Sequence, residues 1–171
     1  LSANARRLVE AQALAFFDTL SDADYRLLLP EVSTLEADRA ISELLEAQVI
    51  VRDGAVCLIA NRGWTQALLE ELDPERTVQT HRALAAMYES KVHIGFIHHA
   101  FAGNLDRRAL EVLDLRNELF RSEADYRSLY DQNVGKLLWC YPRAIAAASA
   151  RGDNARQIFD LRRWQYLCCL M

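Results

Sequence analysis

The sequence predicts a mainly α-helical protein: a winged helix-turn-helix unit with a small β-hairpin wing, then a TPR-like antiparallel helical-repeat layer. Three observations carry this expectation. Only six Gly and three Pro occur in 171 residues, while the helix formers Ala, Leu, Arg and Glu abound. The stretch ISELLEAQVIVRDGAVCLI, residues 41–59, passes from an amphipathic run into two short β-rich runs, Val49-Ile50-Val51 and Ala55 to Ile59, around Asp53-Gly54. After that hairpin no strand pattern returns, so the remaining chain reads as helices.

The elements follow in order. Ser2 can cap a helix running to about Thr19, with Ala5, Leu8, Val9, Ala13, Phe16, Phe17 and Leu20 at helical period. Ser21 can cap a short second helix, with Tyr25, Leu28 and Leu29 inward and Pro30 beyond its end. Thr34 can cap a third, whose stripe is Ala37, Ala40, Ile41, Leu44 and Leu45; Asp38, Arg39, Ser42, Glu43 and Glu46 then face outward. Asp53 and Gly54 both tolerate positive φ, which marks the hairpin turn. A helix with Trp64, Ala67, Leu68 and Leu72 comes next. Asp73-Pro74 reads as cap and first residue of another, running to about Lys91 with Val78, Leu84, Ala85 and Tyr88 apolar.

The second half reads as helix pairs. Ile94, Ile97, His98 and Phe101 make one face, the turn Ala102 to Asp106 follows, and Ala109, Leu110, Leu113 and Phe120 return. Residues 146–159 repeat the pattern of helix, small and polar turn, helix, with Gly152 as the expected helix cap. Gly103 and Gly152 lie 49 residues apart, so the repeats are longer than the roughly 34-residue tetratricopeptide period. Between them, Ser122 and Asp125 stand at capping-box-like spacing. Tyr126, Leu129, Tyr130, Val134, Leu137 and Leu138 suggest another buried face.

Bulk properties narrow the function. Hydrophobic residues are 51% and charged residues 26% of the chain, enough for a packed core. No apolar run has the length to cross a bilayer, and no secretory signal pattern is present. Cys57, Cys140, Cys168 and Cys169 lack zinc-ligand spacing, so a reducing cytoplasmic setting is the expectation. The chain opens on Leu1 and is expected to be a segment of a longer polypeptide.

The order of elements resembles the C-terminal regulatory part of the STAND class of signal-transduction NTPases, MalT-like in style. Residues 1–20 look like the opening winged-helix helix and residues 36–59 like the third helix and wing. Residues 66–89 look like the linking helices, and residues 94–113 are similar to a first repeat pair. The resemblance implies a preceding nucleotide-binding domain that carries ATP or ADP, with no cofactor in this chain. It also implies a His just after the wing, able to reach the nucleotide. Asn61 stands at the nearest place; it can donate a hydrogen bond but cannot become a cation. The bland reading of Asn61 is a residue that ends a strand. Gly135-Lys136 is followed by Leu137 and lacks the upstream Gly of a phosphate loop.

Charge speaks against DNA. Residues 20–62 hold eight acidic and four basic residues, and the whole chain has a formal net charge of -4. A recognition helix should offer Arg, Lys, Asn or Gln to bases, whereas the third helix offers Asp38, Arg39, Ser42, Glu43 and Glu46. His93, His98 and His99 are not at a metal-ligand spacing, and no Cys, Asp or Glu completes a set near them. Cys168-Cys169 reads as two buried helix residues, and Arg151-Gly152-Asp153 as a turn. No nucleophile, base and orienting group assemble from sequence spacing, so the chain is expected to be non-catalytic.

At the C-terminal end, Phe159, Arg162, Arg163 and Tyr166 cannot share a helix stripe with Leu161, Trp164 and Leu167. Both faces of this helix are therefore partly apolar. Trp164, Tyr166 and Arg163 are the candidate interaction residues. The expected division is a winged-helix domain over residues 1–76 and a helical-repeat domain over residues 77–171. The expected role is a regulatory segment of a nucleotide-dependent signalling ATPase that couples a switch to a protein partner or to self-association, without membrane contact. A stand-alone protein-binding adaptor and a DNA-binding transcriptional regulator are the rival readings.

Overall fold

The computed structural model describes residues 1–90, 93–119, 138–151 and 155–169. Among them nine helices surround one small antiparallel sheet. Helix α1 (Ala3–Leu14) starts where the Ser2 hydroxyl accepts the Ala5 N–H at 3.2 Å. It ends at Leu14, short of the expected Thr19, because Phe16 and Leu20 serve other partners. Phe16 is buried under the helical half and its N–H donates to His99 Nε2. Leu20 and Ser21 form strand β1 (Leu20–Ser21), opposite Cys57 and Val56. Leu20 suits a helix stripe and a strand equally well, so periodicity alone does not reveal this strand.

Helix α2 (Asp22–Leu28) opens with a reciprocal capping box between Ser21 and Asp24. In α3 (Thr34–Glu46) the cap is Ser33 rather than Thr34. The reason is spacing: Glu36 lies three residues after Ser33 and returns a bond to its N–H at 3.0 Å, whereas the residue three after Thr34 is Ala37. Strands β2 (Ile50–Asp53) and β3 (Val56–Ile59) make the hairpin, with Gly54 at φ +59° in its turn. The sheet order is β1-β3-β2.

Helix α4 (Arg62–Glu71) is capped by Asn61, and α5 (Pro74–Tyr88) by Asp73 with Pro74 in its first turn. The chain therefore breaks between these helices, as a residue without an N–H requires. Helices α6 (His93–Ala102) and α7 (Asp106–Leu119) follow. Their turn uses Asn104, not Gly103, at positive φ (61°). Gly103 is needed for room: a Cβ there would lie 3.0 Å from Arg82 Cγ and 3.1 Å from the Arg82 nitrogen. Helices α8 (Cys140–Ala150) and α9 (Ala155–Cys169) complete the described chain. The cap of α8 is Arg151. The expected positions Phe120, Ser122, Asp125, Tyr126, Leu129, Tyr130, Val134, Leu137 and Gly152 lie outside the described residues.

The core is continuous. It runs from Leu8, Tyr25 and Leu44 through Ile50 and Cys57 to Leu84, Ile97 and Phe101, and on to Leu110, Tyr141 and Leu161. Each such fully buried aliphatic side chain contributes about 1.5–3 kcal/mol. Helix α5 is the joint: it packs on α1 and α2 on one side and on α6 on the other. The expected boundary between residues 76 and 77 falls inside it. No helix among the described residues is long and apolar enough to cross a membrane.

Candidate functional site

Helix α9 presents the most exposed large apolar side chains among the described residues. Ala155, Arg156, Phe159, Arg162, Arg163 and Tyr166 recur every three or four residues and are all exposed. Phe159 is 65% and Tyr166 63% exposed. The opposite side of the helix is anchored by Leu161, which is fully buried. Of the candidate interaction residues, Tyr166 and Arg163 lie on this exposed face, together with Phe159 and Arg162. Trp164 also lies on α9, and its side chain falls outside the described set. Arg156, Arg162 and Arg163 carry no ion pair among the described residues. An aromatic ring flanked by unpaired guanidiniums is an attractive contact for carboxylates and for apolar side chains.

A second outward face lies on α3. Leu35, Glu36, Arg39, Ser42 and Glu46 are exposed, and Glu43 is half-buried beside them. Leu35 is 61% exposed, and Leu27 on neighbouring α2 adds a second exposed leucine. Asp38 is already paired with Arg26 at 2.9 Å. Bonds from the Ser33 side chain and backbone hold the Glu36 carboxyl below its ordinary range, so it stays anionic. Glu46 carries no ion pair among the described residues. This face would meet a duplex with carboxylates first.

Asn61 lines a groove of about 770 Å³ between the end of α1, β3 and α4. Ala13, Ala15, Leu58, Ile59 and Leu69 line its apolar part, with Asp18, Arg62 and Glu70 also at its walls. Asn61 Oδ1 accepts the Trp64 N–H at 3.1 Å and so starts α4. Its role is thus more specific than ending a strand. None of the α4 residues is buried, and Trp64 is exposed, unlike the inward residue its spacing suggests.

The histidines form a junction rather than a metal set. Phe16 N–H can only donate, so His99 Nε2 accepts it, at 3.0 Å. The His99 proton must then sit on Nδ1, which faces His81 Nδ1 at 2.8 Å. His81 accepts on Nδ1 and carries its own proton on Nε2. Tyr88 stacks flat on His99 with ring centres 5.4 Å apart. Trp139 Nε1–H donates to His98 Nδ1 at 3.2 Å. Burial, then the neighbouring His98, push His81 down to about 4. Burial, then His98 and His81, hold His99 well below its ordinary value. Both rings are therefore neutral at pH 7. His93 starts α6, and its side chain falls outside the described set.

Sequence reasoning missed His81. Its signal was present: His81, Leu84, Ala85 and Tyr88 share one helix stripe, and all are buried. It also missed Glu10, a buried carboxylate that clamps α1 to α5. Arg76 Nη2 reaches both of its oxygens at 2.6 and 2.7 Å, and Arg6 Nε reaches one at 3.0 Å. Burial pushes the Cys140 thiol up to about 12, which keeps it protonated at neutral pH. No group of three or more metal-ligating side chains occurs among the described residues. The chain matches no family model, no curated protein and no solved structure.

Proposed function

We propose that this chain is a non-catalytic regulatory segment that offers α9 as a docking surface for a protein partner. The observation that carries the reading is the α9 face, where Phe159 and Tyr166 stand exposed among Arg156, Arg162 and Arg163. Soluble domains seldom leave two large rings on one stripe without a partner to cover them. The N-terminal half supports a winged-helix reading through its order of helix, strand, two helices and hairpin. The pairs α6–α7 and α8–α9 support a TPR-like layer, whose stacked helices leave one face for ligands or proteins.

In this reading the chain belongs to a nucleotide-dependent signalling ATPase, and ATP or ADP sits on a preceding domain. Asn61 and the groove beside α4 would face that domain. Rigid-body movement of the winged-helix part would then carry the nucleotide state to α9. The acidic α3 face favours this role over a DNA-binding one. The test is a photo-crosslinking amino acid at position 159 or 166 in cells, with position 146 on α8 as an exposed control. A discrete adduct at 159 and 166 that is absent at 146 supports the docking surface. No adduct, or the same adducts at all three positions, overturns it.

A further inference from the structure

We infer that the partner of α9 is a second copy of this chain, docked through the outward face of α3. The inference rests on the docking role of α9 proposed above and names its occupant. The two faces carry opposite net charge. On α9, Arg156, Arg162 and Arg163 flank Phe159 and Tyr166, and the half-buried Asp160 at the border of the face leaves it net cationic. On α3, Glu36 stands beside Leu35 and Glu46 lies further along the same outward face, which also carries Glu43, already bonded to the Ser2 N–H, and Arg39 as its one cation. Both are helix faces of similar length, 15 residues for α9 and 13 for α3. Each offers a helical ridge of apolar and charged side chains repeating every three to four residues.

The chemistry divides the work between the two kinds of side chain. Phe159 and Tyr166 supply apolar area against Leu35 and Leu27, all exposed in the single chain. The arginines supply steering and register rather than bulk affinity, because solvent-exposed ion pairs contribute little on their own. Association through these faces is therefore salt-sensitive. The faces also lie on different elements: α3 packs on α1, α2 and β2, whereas α9 packs on α8. Such a contact is heterologous, so each copy keeps one face open for the next. The assembly does not stop at two unless it closes into a ring.

The experiment is a charge swap on the full chain, read by sedimentation. One variant carries Arg162→Glu and Arg163→Glu; the other carries Glu36→Lys and Glu46→Lys. The wild type should show a mass that rises with concentration, with association weakened about tenfold by molar salt. Each variant alone should be monomeric, because its two faces then repel. Mixing the two variants should restore assembly, because each altered face again meets its opposite. Circular dichroism of each variant checks that the fold is retained; a variant that loses it is replaced by its Gln counterpart, which should weaken assembly in the same direction. A wild type that stays monomeric at all concentrations overturns self-docking. So does assembly in either variant alone, or a mixture that fails to assemble. A wild-type monomer whose crosslinker at position 166 still captures another polypeptide overturns self-docking alone and leaves the docking surface standing. Arg162-dependent retention of nucleic acid in a gel shift overturns both.

Discussion

The Nδ1 atoms of His81 and His99 face each other at 2.8 Å with one proton between them. The arrangement needs both rings neutral: His99 Nε2 accepts from Phe16, so its Nδ1 carries the proton, and protonating His81 would turn N–H against N–H. It joins α5 to α6, and through the Phe16 N–H it joins both to the segment after α1.

Acid should therefore destabilise the fold through these rings. His81 falls to about 4 in the folded chain, against about 6.5 when unfolded. The unfolded chain binds more protons between those values, so the stabilisation is complete above pH 6.5 and is lost as pH falls toward 4. That difference corresponds to about 3 kcal/mol for a single ring. His99 acts in the same direction. Urea midpoints measured between pH 7.5 and 4.5 should decline over this window, and less steeply in His81→Gln. Identical midpoints at both ends would refute the coupling.

Removing the acceptor at position 99 should cost more than replacing it with another acceptor. His99→Ala leaves the Phe16 N–H and His81 Nδ1 without their partner and opens a cavity under Tyr88. A loss of about 3 kcal/mol is expected. His99→Gln keeps an oxygen near the position of Nε2 and should lose less. Equal losses in denaturant titrations would show that the acceptor does not matter.

Two glycines should respond differently to Ala. At Gly54 a Cβ meets no atom within 4 Å, so the cost is the positive φ alone, about 1 kcal/mol. At Gly103 the φ is ordinary but the Cβ meets the Arg82 nitrogen and the His99 carbonyl, both at 3.1 Å. Those are backbone atoms, so α5 or α6 must shift, at about 2 kcal/mol. Thermal melts that rank Gly54→Ala as the more damaging change would contradict this.

Duplex DNA should not bind specifically at physiological salt. The α3 face would bring Glu36, Glu43 and Glu46 to the phosphates, and Arg52 is held at 3.0 Å by Asp22. Gel shifts with mixed duplexes should show no retention. Submicromolar retention that disappears in Arg39→Ala and Arg52→Ala would restore the transcriptional reading.

Much of the local structure was legible because its signals are local. Ser2, Ser21 and Asp73-Pro74 announce helix starts within three or four residues, and Asp53-Gly54 announces the hairpin. The outward residues of α3 follow from helical spacing alone; on α9 spacing separates two stripes but does not say which one is exposed. The end of α1, strand β1 and the histidine junction were not legible. Phe16 meets His99 across 83 positions and Leu20 on β1 meets Cys57 on the outer edge of the hairpin, so each depends on a distant partner. Trp64 misleads for a related reason: α4 has the spacing of a buried stripe, but little packs over it.

Helix α5 begins at a clear break in the chain and yet spans the middle of the core. Arg76 grips Glu10 on α1 in its first turn, and His81 grips His99 on α6 five residues later. A cut between Leu72 and Asp73 would divide the polypeptide at a loop but leave Glu10 on α1 without Arg76, and His99 Nε2 on α6 without the Phe16 N–H. Neither fragment would keep its interior dry, so genes that exchange modules at this point would lose both. Calorimetry of the intact chain should accordingly show one melting event, with the two halves gained and lost together.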